Sequence, residues 1–188
     1  MATVTVASEI LDKLFYDEVH RYELVDGELR PKPMVSIYHS AMMAWVSHLL
    51  VNEAHRLRPE NLLVLTDPLA KIPVDHWRRP DIAVLRAKDA AGWKYVMPGH
   101  WPILCIELAS PPQQTVNELL EKCKLYHEQG VAYCWVIDPE GRTAWAYNRG
   151  ETAVWISAEV NELSAGDIRI RLDELWKCLE GIPASGSE

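Results

Sequence analysis

Ile103-Leu104-Cys105-Ile106-Glu107-Leu108 is the most apolar short run in the chain, bounded by Pro102 on one side and by Pro111-Pro112 on the other. A run this short between prolines suits a central strand buried on both faces better than a helix. After it, Thr115 to Gln129 has helical spacing and stops at Gly130, a residue that ends helices without steric penalty. Val131 to Ile137 then reads as a further buried strand, closed by the turn Asp138-Pro139-Glu140-Gly141. A strand, a helix and a second strand in that order predict an α/β arrangement.

Upstream, Asp81-Ile82-Ala83-Val84-Leu85 follows Pro80 and reads as a strand with its charge at the entrance. Leu62 to Leu65 and Leu69 to Ile72 are two further extended pieces. Ser36 caps a long helix over Ile37–Arg56, whose apolar stripe is Met42, Val46, Leu49, Leu50 and Ala54. Asp26-Gly27 between two short alternating runs predicts a hairpin. Ser8 opens a short helix through Leu14. Arg86 to Pro102 reads as an irregular loop. Downstream, Thr143–Tyr147 and Thr152–Ile156 form a second hairpin, Ile168–Leu172 a last strand, and Asp173 to Cys178 a small helix. The expectation is a central mixed β-sheet flanked by helices in one domain over 1–182, with a frayed tail over 183–188.

Composition narrows the class. The apolar fraction is 48% and the charged fraction 24%, ordinary values for a globular chain. Cys105, Cys123, Cys134 and Cys178 form no Cys-x-x-Cys pair, and each sits in an apolar run as a reduced core thiol would. There is no basic segment followed by an apolar stretch at the N-terminus, and no run long enough to span a membrane. A cytoplasmic protein is expected. The formal charge of −8 argues against a protein that coats DNA. A metal site is compatible with it, because a bound cation offsets carboxylates locally.

Four residues carry the candidate chemistry. Asp81 enters one strand and Glu107 lies late in the most buried one. A carboxylate buried there needs a metal ion, a basic partner or a hydrogen-bond network. Two such groups with backbone carbonyls and water suit Mg²⁺ or Mn²⁺. Lys122 lies about 60° from Leu119 and about 40° from Tyr126 on a helical wheel of about 100° per residue, at the edge of the apolar stripe. Its stem can follow the core while its amine reaches the sheet. On that view Lys122→Met leaves folding nearly intact, and Lys124 faces solvent. Glu28 closes the hairpin as a third carboxylate. Each residue also has a structural reading: Asp81 as a turn cap, Glu107 in an ion pair, Lys122 paired with Glu118 on a solvated face, Glu28 as a hairpin charge. His39 is open between a donor behind the site and a core histidine.

Several stretches together resemble a bacterial, Uma-type family of restriction-endonuclease-like proteins, a domain of unknown function common in cyanobacteria. They are Tyr22-Glu23-Leu24-Val25-Asp26-Gly27-Glu28, His39, Pro80-Asp81-Ile82-Ala83-Val84, Ile106-Glu107-Leu108-Ala109-Ser110-Pro111, Lys122-Cys123-Lys124-Leu125-Tyr126, Gly130-Val131 and Tyr133 to Pro139. That family is similar to nucleases sharing Pro-Asp followed by Asp/Glu-x-Lys. The resemblance implies a restriction-endonuclease-like fold, Asp81 and Glu107 as metal ligands, and DNA phosphodiester cleavage. Ala109 stands where the motif lysine is expected, and Lys122 matches the migrated position. Metal between Asp81 and Glu107 would activate water, with Lys122 orienting it or stabilising developing charge, and Glu28 completing the shell. A homodimer would let a small nuclease cut both strands. The alternatives are a DNA-interacting accessory protein without cleavage and a metal-dependent hydrolase of another phosphate.

Overall fold

The structure, a computed structural model, describes residues 8–17, 21–58, 61–72, 76–90, 92, 96–98 and 102–181. The expected tail over 183–188 lies outside them. Among the described residues there are four α-helices: α1 (Ser8–Tyr16), α2 (Ile37–Arg56), α3 (Val116–Glu128) and the single turn α4 (Leu172–Leu175). The strands before the long central run are β1 (Tyr22–Val25), β2 (Glu28–Pro31), β3 (Leu62–Thr66), β4 (Leu69–Lys71), β5 (Trp77–Arg78), β6 (Ile82–Arg86) and β7 (Val96–Pro98). From that run onward they are β8 (Leu104–Leu108), β9 (Tyr133–Asp138), β10 (Thr143–Asn148), β11 (Val154–Trp155), β12 (Glu162–Ala165) and β13 (Ile168–Arg171).

The apolar run at Leu104–Leu108 is the strand expected of it. Every residue in it is buried, and it lies inside a six-stranded mixed sheet of order β11-β10-β9-β8-β6-β3. It pairs parallel with β9 through the α3 crossover and antiparallel with β6. Its two faces bury different helices, as a two-residue period requires. Leu104, Ile106 and Leu108 pack with Met42, Val46 and Leu50 of α2. Cys105 and Ala109 pack with Leu119, Cys123 and Tyr126 of α3. The sheet is thus a layer between two helices, each presenting the stripe its sequence predicts.

The strands are not confined to one sheet. β2-β1-β5-β4-β7 form a second, five-stranded sheet, and β12-β13 a two-stranded ribbon. The break between β3 and β4 falls at Asp67-Pro68, where Asp67 has φ 49° and Pro68 has no N–H for a ladder. The segment Arg86 to Pro102, expected as loop, contributes β7, which pairs parallel with β4. Three residues hidden between polar neighbours carry too little periodicity to show this. The Asp26-Gly27 turn is as expected. Both residues have positive φ, 53° and 77°, the conformation of a two-residue hairpin turn that matches strand twist.

Helix termini are set by local chemistry. The Ser36 hydroxyl accepts from His39 N–H at the start of α2. At α3, Thr115 and Glu118 form a reciprocal capping box, with Thr115 N–H donating to Glu118 Oε2 at 2.8 Å. Glu118 is therefore committed to the cap and does not pair with Lys122. No helix among the described residues is long and apolar enough to cross a membrane. Cys105, Cys123 and Cys134 are buried free thiols.

Candidate active site

The register of β6 on β8 sets the site. Ile82 faces Ile106 and Ala83 faces Cys105. One step further along that register brings Asp81 beside Glu107. Leu108 N–H donates to Asp81 Oδ2 at 2.8 Å, which ties the two strand ends together. Both carboxylates are sealed from solvent, Asp81 at 1% exposure and Glu107 at 0%. Charges this deep require compensation, and two lysines supply it.

Lys122, on α3, is buried as its edge position on the helical wheel allows. Its Nζ donates to Glu107 Oε2 and to Arg79 O, both at 3.1 Å. It also lies 2.7 Å from Glu23 Oε1. Lys124 is exposed and pairs with Glu121. The ammonium of Lys122 thus links two carboxylates and is held by a carbonyl. Removing it would leave both buried acids short of a cation, so the expectation that Lys122→Met leaves folding nearly intact does not survive this geometry.

Glu23, in β1, takes the place that the sequence suggests for Glu28. Its Oε1 accepts from Arg79 N–H at 2.7 Å, and Arg78 Nη1 lies 3.3 Å from its Oε2. Glu28 sits in β2 with a side chain 75% exposed, 3.7 Å from Arg30, and does not join the cluster. The cause is topological. β1 lies inside its sheet, paired to β5 through Leu24 and Trp77, whereas β2 is the edge strand. Which half of a hairpin becomes interior depends on a third strand.

Lys32 is the second cation, and nothing in periodicity marks it. It follows β2 and stands between Pro31 and Pro33. Its Nζ donates to Asp81 Oδ1 and to Asp67 Oδ1, both at 2.8 Å. His39 is buried on α2, with Nε2 3.2 Å from Asp81 Oδ2, near enough for an ion pair but off hydrogen-bond alignment. Its Nδ1 is buried without a hydrogen-bond partner among the described residues. Tyr126 donates its phenol proton to Glu107 Oε1 at 2.7 Å. Arg79 donates to Leu14 O, Tyr22 O and Asp67 O, fastening α1 and β1 to the site.

These contacts drive the acids apart. Burial alone would raise the Asp81 carboxyl, but Lys32 first, then His39 and Lys122, hold it well below the usual range. Glu23 is likewise lowered, because Lys122 and Arg79 outweigh its burial. Glu107 goes the other way, pushed up to about 7. Burial dominates there, Lys122 offsets part of it, and the like charges of Asp81 and Glu23 add to the rise. Lys32 and Lys122 are both raised, since the surrounding carboxylates outweigh desolvation. The site therefore sets a firmly ionised Asp81 beside a Glu107 whose carboxyl is pushed up toward neutrality.

Two clefts reach the cluster. One, of about 530 Å³, is lined by Lys32, His39 and Asp81 together with the apolar rim Met34, Val35 and Met43. The other, of about 670 Å³, is polar and reaches Glu23 and Lys122, with Arg30, Arg78 and His76 on its walls. Lys32 borders both.

Among the described residues, no group of three or more His, Cys, Asp or Glu side chains is arranged to hold a metal ion. The donor chemistry still fits a hard cation of the Mg²⁺ type. Mg²⁺ is commonly held by one or two carboxylates and keeps several waters. Asp81 and Glu107 offer oxygen donors side by side at the ends of adjacent strands, and an ammonium already rests on Asp81 Oδ1.

The fold matches a crystal structure described as a putative nuclease belonging to DUF820 from Anabaena variabilis ATCC 29413, with TM-score 0.74 and 18% identity over 85% of this chain and 91% of that one. At that identity the likeness speaks for the fold. No curated protein matches the chain. The Uma2 family, described as "Putative restriction endonuclease", matches residues 10–175, and the chain belongs to that family.

Proposed function

We propose that this chain is a divalent-metal-dependent nuclease that hydrolyses phosphodiester bonds of DNA, with Asp81 and Glu107 as the ligands of Mg²⁺ or Mn²⁺. The observation that carries this reading is the juxtaposition of two fully buried carboxylates on adjacent strands with the Lys122 ammonium 3.1 Å from one of them. A bound cation would polarise a phosphate oxygen and lower the pKa of a coordinated water. The chain's own groups do the rest. Tyr126 and Lys122 fix the Glu107 carboxylate from two sides. Leu108 N–H fixes Asp81. Lys122, bordering the polar cleft, stabilises negative charge that develops on a phosphate there. Arg30 and Arg78 on the same walls offer phosphate contacts despite the net charge of −8. Cutting both strands of a duplex calls for a homodimer, and the reading places the protein in the cytoplasm.

A second reading is favoured by one observation. Both oxygens of Asp81 and both of Glu107 already meet protein donors or cations. A site so fully satisfied suits a DNA-interacting accessory protein without cleavage. Calorimetric titration of Mn²⁺, followed by incubation with mixed DNA and RNA, separates the two. The nuclease reading expects metal binding that Asp81→Asn abolishes, and metal-dependent cleavage lost in the same variant. Metal binding undiminished in Asp81→Asn would remove Asp81 from the ligand set.

A further inference from the structure

We propose that Lys32 is a tethered cation which competes with a divalent ion for Asp81 and withdraws to Asp67 when the ion enters. This rests on the reading of Asp81 as a metal ligand and adds a residue that sets how tightly metal is held.

Asp81 has one oxygen committed and one open to exchange. Oδ2 accepts from Leu108 N–H, a backbone donor that cannot move away without opening the strand pair, and faces His39. Among the described residues, Oδ1 meets only the Lys32 ammonium, at 2.8 Å. A divalent ion approaching from the cleft must take that oxygen, so it must displace Lys32. The ammonium has a second seat already made. Asp67 Oδ1 lies at the same 2.8 Å, on a side chain 28% exposed at the cleft wall. Moving fully onto Asp67 costs Lys32 one of its two carboxylates and keeps it out of uncompensated burial.

The backbone at Lys32 is built to stay while the side chain moves. Pro31 has a fixed φ, Pro33 restricts Lys32 to extended conformations, and Lys32 N–H donates to Arg21 O at 2.7 Å. The amine therefore pivots over a short arc between two anions that flank it. Lys32 also lines both clefts, so after withdrawal it remains beside the cavity where an anionic substrate would lie.

The test is Mn²⁺ affinity of the full chain by calorimetry, read without any activity measurement, in wild type, Lys32→Met, Lys32→Arg, Asp67→Asn, Lys32→Met/Asp67→Asn and Asp81→Asn. Lys32→Met should bind about tenfold more tightly or better, the equivalent of one charge-assisted hydrogen bond no longer to be broken. Lys32→Arg keeps the competitor and should bind no more tightly than wild type. Asp67→Asn removes the second seat and should weaken binding several-fold, roughly threefold or more. In the Lys32→Met background the same change should have under about a twofold effect. A Lys32→Met affinity equal to wild type overturns the inference while leaving the metal site standing. So does an Asp67→Asn effect that is the same in both backgrounds. If Lys32→Met fails to fold, an Asp67→Asn affinity equal to wild type overturns the inference by itself. If neither wild type nor Lys32→Met binds Mn²⁺, the metal reading falls and takes this inference with it.

Discussion

Glu107→Gln should flatten the pH dependence of stability between pH 5 and pH 8, and the size of the effect follows from the burial of one carboxyl. Glu107 is 0% exposed and its carboxyl is pushed from an ordinary 4.5 up to about 7. The folded protein then holds a proton more tightly than the unfolded chain does. A group raised in this way contributes stability at low pH that is lost as pH climbs through the folded value. Integrated from pH 5 to pH 8, the loss is about 2–3 kcal/mol. The acids shifted downward do not interfere, since Asp81 and Glu23 act on stability only as pH falls through their own lower ranges. Glutamine keeps the shape and the acceptor for Tyr126 but carries no titrating proton. Urea unfolding in chelator-treated buffer at pH 5 and pH 8 gives the difference for each protein. Wild type should lose about 2–3 kcal/mol more than Glu107→Gln across that interval, which corresponds to a gap of roughly 5–10 °C in thermal midpoint for a chain of this size. Equal pH dependence in the two proteins would refute the claim that Glu107 is held protonated by its surroundings.

Three further outcomes are expected. Lys122→Met should destabilise the fold by about 3–5 kcal/mol in urea titration, because it strands Glu23 and Glu107 without their shared ammonium, whereas Lys124→Met should leave the unfolding midpoint unchanged. Glu23→Gln should cost at least ~2 kcal/mol and Glu28→Gln under about 0.5 kcal/mol, since one is enclosed by Arg78, Arg79 and Lys122 and the other faces water; equal effects would contradict the hairpin topology. Tyr126→Phe removes the donor to Glu107 Oε1 and should cost about 1–3 kcal/mol at pH 8, where that carboxylate is charged, and less at pH 5; a loss independent of pH would assign Tyr126 to packing alone.

Much of the frame was legible because it depends on local pattern. Leu104–Leu108 announced itself by apolar density, α2 and α3 by their stripes, and the Asp26-Gly27 turn by the demand for positive φ. The candidates Asp81 at a strand entrance, Glu107 in the most buried run and Lys122 at the edge of a helical stripe were legible too, and the structure brings the three side chains together. Lys32, Asp67, Arg79 and Glu23 were not, for one physical reason. They act through contacts between segments remote in sequence, and their own neighbourhoods look like ordinary turns. The Pro31-Lys32-Pro33 triplet and the Arg78-Arg79-Pro80 run were visible signals of rigid cationic backbone beside the Pro80-Asp81 motif, but neither says which anion it meets. Glu28 lies outside the cluster for the same reason. A hairpin pattern fixes which residues face each other, and only the partner strand decides which half is buried.

On the proposed reading, the charge balance of the cluster also reconciles an acidic protein with an anionic substrate. The carboxylates Glu23, Asp67, Asp81 and Glu107 face the cations Lys32, Arg78, Arg79 and Lys122, so the fully ionised cluster is close to neutral. A neutral cluster on a chain of net charge −8 has little to draw a phosphodiester toward it. Adding one dication while Lys32 stays at Asp67 would leave a local surplus of about two positive charges at the meeting point of the two clefts. On the proposed reading, substrate attraction and catalysis then depend on the same ion. DNA binding should be weak in metal-free buffer and should strengthen with a non-catalytic dication such as Ca²⁺, measured by fluorescence anisotropy on a labelled duplex at fixed ionic strength. Metal-independent binding of equal strength would mean that the anionic substrate is held elsewhere, and would favour the accessory role over cleavage.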